Sequence, residues 1–231
     1  MKKFLALFTV LTLAACSGDD DKNEITQNKF LSTVAITYND YPDFYDVRSF
    51  YYDNKKHIKT VTKNDSIIAA FTYEGDNVVS IAYDEENVPL YHLTYNKGVL
   101  SGFSFVHDNH TITYNGQANT YTINNLGPVL HVSGKDFFKR VDFNGEVNTE
   151  VKFDSTKKGP LYNVPGDNLF VVTFFGELYP YVSAQAMISV TESTYAYTAS
   201  NTYDDEGYVT RAVITSSGHE IATLNYTYKA L

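Results

Sequence analysis

The spacing of aromatic residues limits what this chain can fold into more than any other feature. Tyr52, Tyr73, Tyr95 and Tyr114 each lead a run in which an aromatic precedes a polar turn and then a β-like stretch. The runs read "YYDNKKHIKTV", "TYEGDNVVSIAY" from Thr72, "TYNKGVLSGFSF" from Thr94 and "TYNGQANTYTI" from Thr113. Separations of 21, 22 and 19 residues between these tyrosines each accommodate two strands of ordinary length and two turns. "DFNGEVNTEVKF" from Asp142 and "YDDEGYVTRAVITSSGHEIATLNYTY" from Tyr203 continue the pattern. The sequence therefore reads as a row of β-hairpins.

Side-chain alternation says how the hairpins bury themselves. Val147, Thr149, Val151 and Phe153 fall on one face of a strand, and Asn148, Glu150 and Lys152 on the other, so one face is apolar and the other wet. Strands of parallel sheets, buried on both faces, read instead as continuous apolar runs. Asn115-Gly116 and Asn144-Gly145 are expected to form two-residue type I′ turns, with Gly75, Gly98, Gly207 and Gly218 in looser connections. The chain holds 20 Tyr and 15 Phe but no Trp, rings that favour strands and pair across them. The expectation is an all-β fold: an antiparallel meander of aromatic-rich hairpins forming a curved sheet or partly closed barrel. It occupies a single β-repeat domain over 30–231.

One segment interrupts the pattern. "DSTKKGPLYNVPGDN", over 154–168, concentrates prolines and glycines that no central strand tolerates. The apolar "LFVVTFFGELYPYVSAQAMISV" that follows has an ambiguous period. Asp167 or Asn168 is placed to cap a short helix near 168–178 with Leu169, Val172 and Phe175 on one stripe. Its β-branched and aromatic content argues for a buried strand instead. The helix is the preferred reading, as a plug on the sheet's apolar face.

The first residues give an address. Lys2 and Lys3 precede "FLALFTVLTLAA", too short to span a bilayer and flanked like a secretory signal. Leu13, Ala14, Ala15 and Cys16 resemble the lipobox of bacterial lipoproteins. The resemblance implies that residues 1–15 are a signal peptide, cut before Cys16, whose thiol receives diacylglycerol and whose new amino group is acylated. Several acyl chains anchor far more firmly than one. Residues 16–29 then form an acidic tether, "SGDDDKNE" at its start, which resembles the export signal of surface lipoproteins in Bacteroidetes-type bacteria. A membrane-embedded barrel would alternate too, with its apolar face toward lipid, but a tethered chain needs no barrel for attachment. Without Lys2 and Lys3 the balance is 18 − 2 = 16 basic against 27 acidic residues. Nucleic acid is a poor partner for that charge.

The unit from Tyr203 is similar to a tyrosine-aspartate (YD, RHS-type) repeat, with its aromatic-Asp start, turn glycines and closing Tyr-x-Tyr. "AYDEENVPLYHLTYNKG" echoes it without the first glycine. With the lipobox, the segment "GPLYNVPGDNLF" and the closing "NTYDDEGYVTRAV", residues 30–231 resemble the DUF4595-like lipoproteins of Bacteroidetes. That likeness implies an outer-membrane, surface-exposed protein and supplies no catalytic residue.

Chemistry-bearing clusters are sparse. His107 and His110 bracket an Asp but point to opposite faces of a strand unless a turn intervenes. His57, His92, His131 and His219 are scattered. Asp84-Glu85-Glu86 and Asp204-Asp205-Glu206 have oxygens for calcium but no EF-hand order, and read as turn tips. No nucleophile elbow, zinc-protease pair or phosphate loop appears, so no catalytic residue, metal or cofactor is assigned. Asp65-Ser66-Ile67 and Asp154-Ser155-Thr156 resemble acceptors for O-glycosylation, which would fall on Ser66 and Ser155. The expected function is a lipid-anchored binding or structural module recognising a glycan or an outer-membrane partner, with exposed tyrosines stacking on sugar rings. The alternative is a glycosidase-like hydrolase with a carboxylate pair.

Overall fold

The computed structural model describes residues 28–83, 89–106, 108–124, 126–176, 178 and 181–231. Among them are sixteen strands and one short helix. The first eight strands are β1 (Lys29–Tyr38), β2 (Tyr41–Tyr52), β3 (Ile58–Lys63), β4 (Ser66–Glu74), β5 (Asn77–Ala82), β6 (Pro89–Asn96), β7 (Val99–Phe105) and β8 (Asp108–Asn115). Then come β9 (Thr120–Ile123), β10 (Val129–Ser133), β11 (Asp136–Val141), β12 (Val147–Lys158) and α1 (Leu169–Phe175). The chain finishes with β13 (Gln185–Glu192), β14 (Ala196–Tyr203), β15 (Val209–Ser216) and β16 (His219–Ala230).

Each strand pairs antiparallel with the next, and β1 pairs with β16, from Lys29 opposite Ala230 to Tyr38 opposite Ala222. The meander is thus a fully closed barrel, which leaves no edge strand to template aggregation. Connections alternate between two ends. The terminal end gathers the start of β1, the end of β16 and the turns at 53–57, 75–76, 97–98, 116–119, 134–135 and 204–208. The far end gathers those at 39–40, 64–65, 142–146, 193–195 and 217–218.

The apolar face is the inner one. On β16 Ala222, Leu224 and Tyr226 are buried, while Thr223, Asn225, Thr227 and Lys229 lie on the other face. On β12 Thr149 and Val151 are buried against outward Asn148, Glu150 and Lys152. Val147, expected on the buried face, sits at the rim and is 43% exposed. This polarity is the inverse of a transmembrane barrel, which turns an apolar band about 25 Å tall toward lipid.

Residues after β12 fill the lumen. Pro160, Leu161, Val164 and six of the seven helical residues are buried, leaving Phe174 as the part-exposed residue of the helix. The helix forms as expected, but it is buried nearly all round rather than along one stripe. Asn168 takes the N-cap position without capping. Its amide instead donates to Asn77 Oδ1 at 2.9 Å and the Gly98 carbonyl at 3.1 Å, pinning the helix start to two hairpin tips. Phe170 packs on Tyr121, Phe174 on Phe137, and Phe175 on Tyr91 and Phe103, with ring centroids 4.8–5.4 Å apart.

The tyrosine repeat has a structural cause. An extra residue interrupts the ladder of β1 near Leu31, of β3 near Ile58, of β5 near Val78 and of β15 near Val209. Such β-bulges bend and twist the strand and disrupt its pairing locally. At each, a tyrosine of the neighbouring strand donates its hydroxyl to the bulge carbonyl: Tyr52 to Leu31 at 2.8 Å, Tyr73 to Ile58 and Tyr95 to Val78 at 2.9 Å, and Tyr228 to Val209 at 2.6 Å. Burial raises the pKa of all four phenols.

Three aspartates at strand ends close turns. The carbonyls of Asp53, Asp142 and Asp204 accept from Lys56, Gly145 and Gly207, at φ 70°, 83° and 84°. Only the second residue of Asn144-Gly145 has positive φ, so this is a type I turn with a glycine bulge rather than the expected type I′ turn. Asn115-Gly116 opens a longer connection in which Asn115 Oδ1 accepts from Gln117 and Ala118, and the positive φ falls at Asn119. Two-residue turns with both φ positive lie instead at Asn64-Asp65, Lys97-Gly98 and Ser217-Gly218.

Candidate functional site

At the terminal end, four hairpin tips and the loop leading into α1 enclose a cleft of ≈ 650 Å³. Gly166 adopts φ 98° beside the Asp76 carbonyl, and Lys135 Nζ donates to the Val164 carbonyl at 2.8 Å; these contacts seat the loop across the tips. The floor is an aromatic stack: Tyr114 on Tyr121, centroids 4.6 Å apart at 32°, and Tyr121 on Phe170, 4.8 Å at 34°. Tyr114 is 37% exposed and is held by donation from its hydroxyl to Asn119 Oδ1 at 3.0 Å. Burial, then the neighbouring Tyr114, pushes the Tyr121 phenol up to about 12, so it is a neutral donor at ordinary pH. Around this floor stand Asp76, Asn77, Lys97, Asn119, Asp167 and Asn168. The part-exposed Tyr114 ring, backed by the buried Tyr121 and Phe170 and ringed by amides and carboxylates, suits a ligand with one apolar face and many hydroxyl groups.

Apart from Asp167 and Asn168, which the sequence offered as helix caps, these rim residues are turn residues that motif reading passed over. Their signal was phase: Asp76, Asn77, Lys97 and Asn119 each lie at the turn after the lead tyrosine of a repeat unit, and antiparallel pairing brings those turns to one end.

The residues singled out in the sequence are dispersed. Cys16, His107 and Asp84-Glu85-Glu86 lie outside the described residues. Ser66 is exposed directly after the Asn64-Asp65 turn, and Ser155 is exposed on β12, so both present their hydroxyls to solvent. Asp154 beside Ser155 accepts from the Thr156 amide and hydroxyl at 2.9 and 2.6 Å. Asp204 and Glu206 both bind Lys29 at 2.9 Å, fastening the first strand to the 204–208 turn. His57 is buried, stacked on Tyr73 at 4.4 Å, with Nδ1 3.1 Å from Asp53 and Nε2 3.1 Å from Asp76. It staples two adjacent turns below the cleft. His92 and His219 are exposed and His131 half-buried. Among the described residues, no three His, Cys, Asp or Glu side chains are grouped to hold a metal ion.

For the hydrolase alternative the relevant pair in this cleft is Asp76 and Asp167. Both are exposed, Asp76 at 70%, whereas a general acid sits against an apolar wall. The buried carboxylate near this end is Asp136, which accepts from the Ala184 and Gln185 amides at 2.7 and 2.9 Å. Burial pushes it up to about 6, against the pull of those amides. Its role is to fix the chain's return into β13.

No family model and no curated protein matches the chain. Among solved structures, a porin-like protein from Bacteroides uniformis ATCC 8492 is similar over 86% of this chain and 98% of its own, with 13% identity and a TM-score of 0.45. At that similarity nothing about activity transfers to this chain.

Proposed function

We propose that this chain is a cell-envelope binding module, lipid-anchored through Cys16, whose terminal-end cleft binds carbohydrate. The carrying observation is the Tyr114–Tyr121–Phe170 stack beneath a rim of amides and carboxylates. Stacking on an aromatic face and hydrogen bonding at the edge together match the two chemistries of a sugar ring. The polar outer wall supports a water-exposed body held by its N-terminus rather than a barrel sunk in lipid. β1 begins at the same end as the cleft, and a tether of about 13 residues reaches at most ~45 Å. A glycan near the outer-membrane surface is therefore the substrate class in reach. The "GPLYNVPGDNLF" segment behind the DUF4595-like resemblance supplies Asp167, Asn168 and Phe170 of the cleft, so in this reading the family signature marks a binding element.

The test is titration of the purified full chain with neutral and acidic oligosaccharides, followed by NMR at the Gly98, Asn119 and Gly134 amides. Saturable shifts at those amides are expected, with affinity falling about 3- to 10-fold in Tyr114→Ala, as loss of one stacking contact implies. Unmoved amides across the panel at millimolar sugar would end the proposal.

A further inference from the structure

The far end of the lumen holds a second cavity, of ≈ 610 Å³, on the other side of α1 and of different character. We propose that it binds a small, uncharged, largely apolar molecule bearing a hydroxyl group, with that hydroxyl on Nδ1 of His110. This site is independent of the carbohydrate reading.

The body of the cavity is aromatic. Phe174 and Phe175, from the last turn of α1, form its floor, and Tyr91, Phe103 and Ile123 its wall. Phe175 meets Phe103 and Tyr91 edge-on, with centroids 5.2 and 5.4 Å apart at 62° and 67°. Across from them Tyr181, Tyr197 and Tyr195 stack in series, at 5.9 Å and 25° and then 6.0 Å and 15°. The series runs from the lumen to the rim, where Tyr195 is 52% exposed. A space of this size and lining lies within the range of small-molecule sites, and its ring-rich surface selects an apolar body.

One polar atom in this wall is left unsatisfied. His110, on β8 beside Phe103 with ring centroids 4.8 Å apart, has a buried Nδ1 that meets no hydrogen-bond partner among the described residues. Buried polar atoms are nearly always bonded, and leaving one unbonded is costly. Nδ1 is closed to the cavity at the ring's present angle, so a ligand hydroxyl reaches it as the imidazole turns toward the lumen, recovering that cost and making the atom a specificity point. A hydroxyl both donates and accepts, so it satisfies Nδ1 in either tautomer.

Charge at the mouth selects against an ionic ligand. Arg140 and Glu192 lie on one rung, on either side of Thr149. Arg140 is the single cation among the described lining residues, and its Nε already donates to Asp142 Oδ1 at 3.1 Å. Arg140 and Glu192 stand at the mouth with opposite charges, so neither an anion nor a cation meets an unopposed countercharge there.

The probe is 1-naphthol, with naphthalene as the same ring system lacking the hydroxyl. Calorimetric titration of the full chain is expected to give 1-naphthol an affinity about tenfold above that of naphthalene, the worth of one buried hydrogen bond. Intermolecular NOEs should join the naphthol ring to the Ile123 methyls. In His110→Phe, which keeps a ring of similar shape and removes the unbonded atom, the two affinities should come within twofold while naphthalene binding stays unchanged and thermal unfolding moves to higher temperature. Tyr114→Ala, at the opposite end, should leave naphthol binding intact whatever it does to saccharides, which separates failure of one site from failure of the other. The proposal is overturned if neither probe binds up to its solubility limit, if the NOEs place naphthol elsewhere, or if His110→Phe retains the tenfold preference.

Discussion

Replacing the bulge-binding tyrosines by phenylalanine isolates what the aromatic repeat contributes. In Tyr73→Phe the ring remains against His57 and only the hydroxyl on the Ile58 carbonyl is lost. The loss is one hydrogen bond to a carbonyl in a disrupted stretch of ladder, about 1–2 kcal/mol. The same holds for Tyr52, Tyr95 and Tyr228. These phenols are close enough to interact electrostatically, so their effects need not add. Taken without coupling, the fourfold variant loses about 4–8 kcal/mol, much of a domain's typical ~5–15 kcal/mol. Urea unfolding at neutral pH, followed by far-UV circular dichroism, measures this as a lower midpoint with unchanged slope. Tyr41→Phe, at a position 70% exposed, is the control and should be neutral. The sign of the pH dependence gives a second check. Because burial raises the folded-state pKa of these phenols, the unfolded chain releases their protons first. Their contribution is complete below about pH 10 and is lost as the pH rises through the folded values. The phenylalanine variants should therefore be less sensitive to alkali than the parent. If Tyr73→Phe matches the control within about 0.5 kcal/mol, the hydroxyl-to-bulge bonds do not hold the barrel, and the repeat acts through its rings alone.

Asp136 and Cys16 give further tests. The Asp136 carboxyl, pushed up to about 6, holds its proton more tightly folded than unfolded. Its contribution is full below about pH 3.9 and is lost as the pH rises through about 6. The parent should gain about 1 kcal/mol from this group between pH 7 and pH 5, and Asp136→Asn should flatten that slope in urea titrations; an unchanged slope assigns it elsewhere. For the anchor, Cys16→Ser is expected to move the protein from the membrane pellet to the soluble fraction in its native host, and retention in the pellet would refute lipid attachment.

Much of the wall was legible from residues alone. Alternation in "VNTEVKF" and the roughly 20-residue spacing of tyrosines specify antiparallel hairpins with one apolar face, because side-chain direction in a strand has a period of two. The break over 154–168 and the apolar run behind it marked the plug, and α1 falls where the helix was expected. The turns were harder to read. Asn115-Gly116 has the composition of a type I′ turn, yet that geometry occurs at Lys97-Gly98 and at Asn64-Asp65. Bulges and cross-strand partners, rather than the dipeptide, choose which residues turn the chain.

By itself, then, the sequence determined the strands, their antiparallel sense, their apolar flank and the place of the interruption, all properties of residues a few positions apart. Tertiary structure decided three other things. It closed the sheet by pairing Lys29 with Ala230, contacts that no local pattern encodes. It turned the apolar flank inward, since alternation reads the same for a water-facing barrel and a lipid-facing one. And it threaded the interrupting segment through the lumen, dividing the interior into a polar cleft at one end and an aromatic cavity around His110 at the other. Both sites assemble side chains from distant strands, so their chemistry emerges only when the barrel closes around its plug.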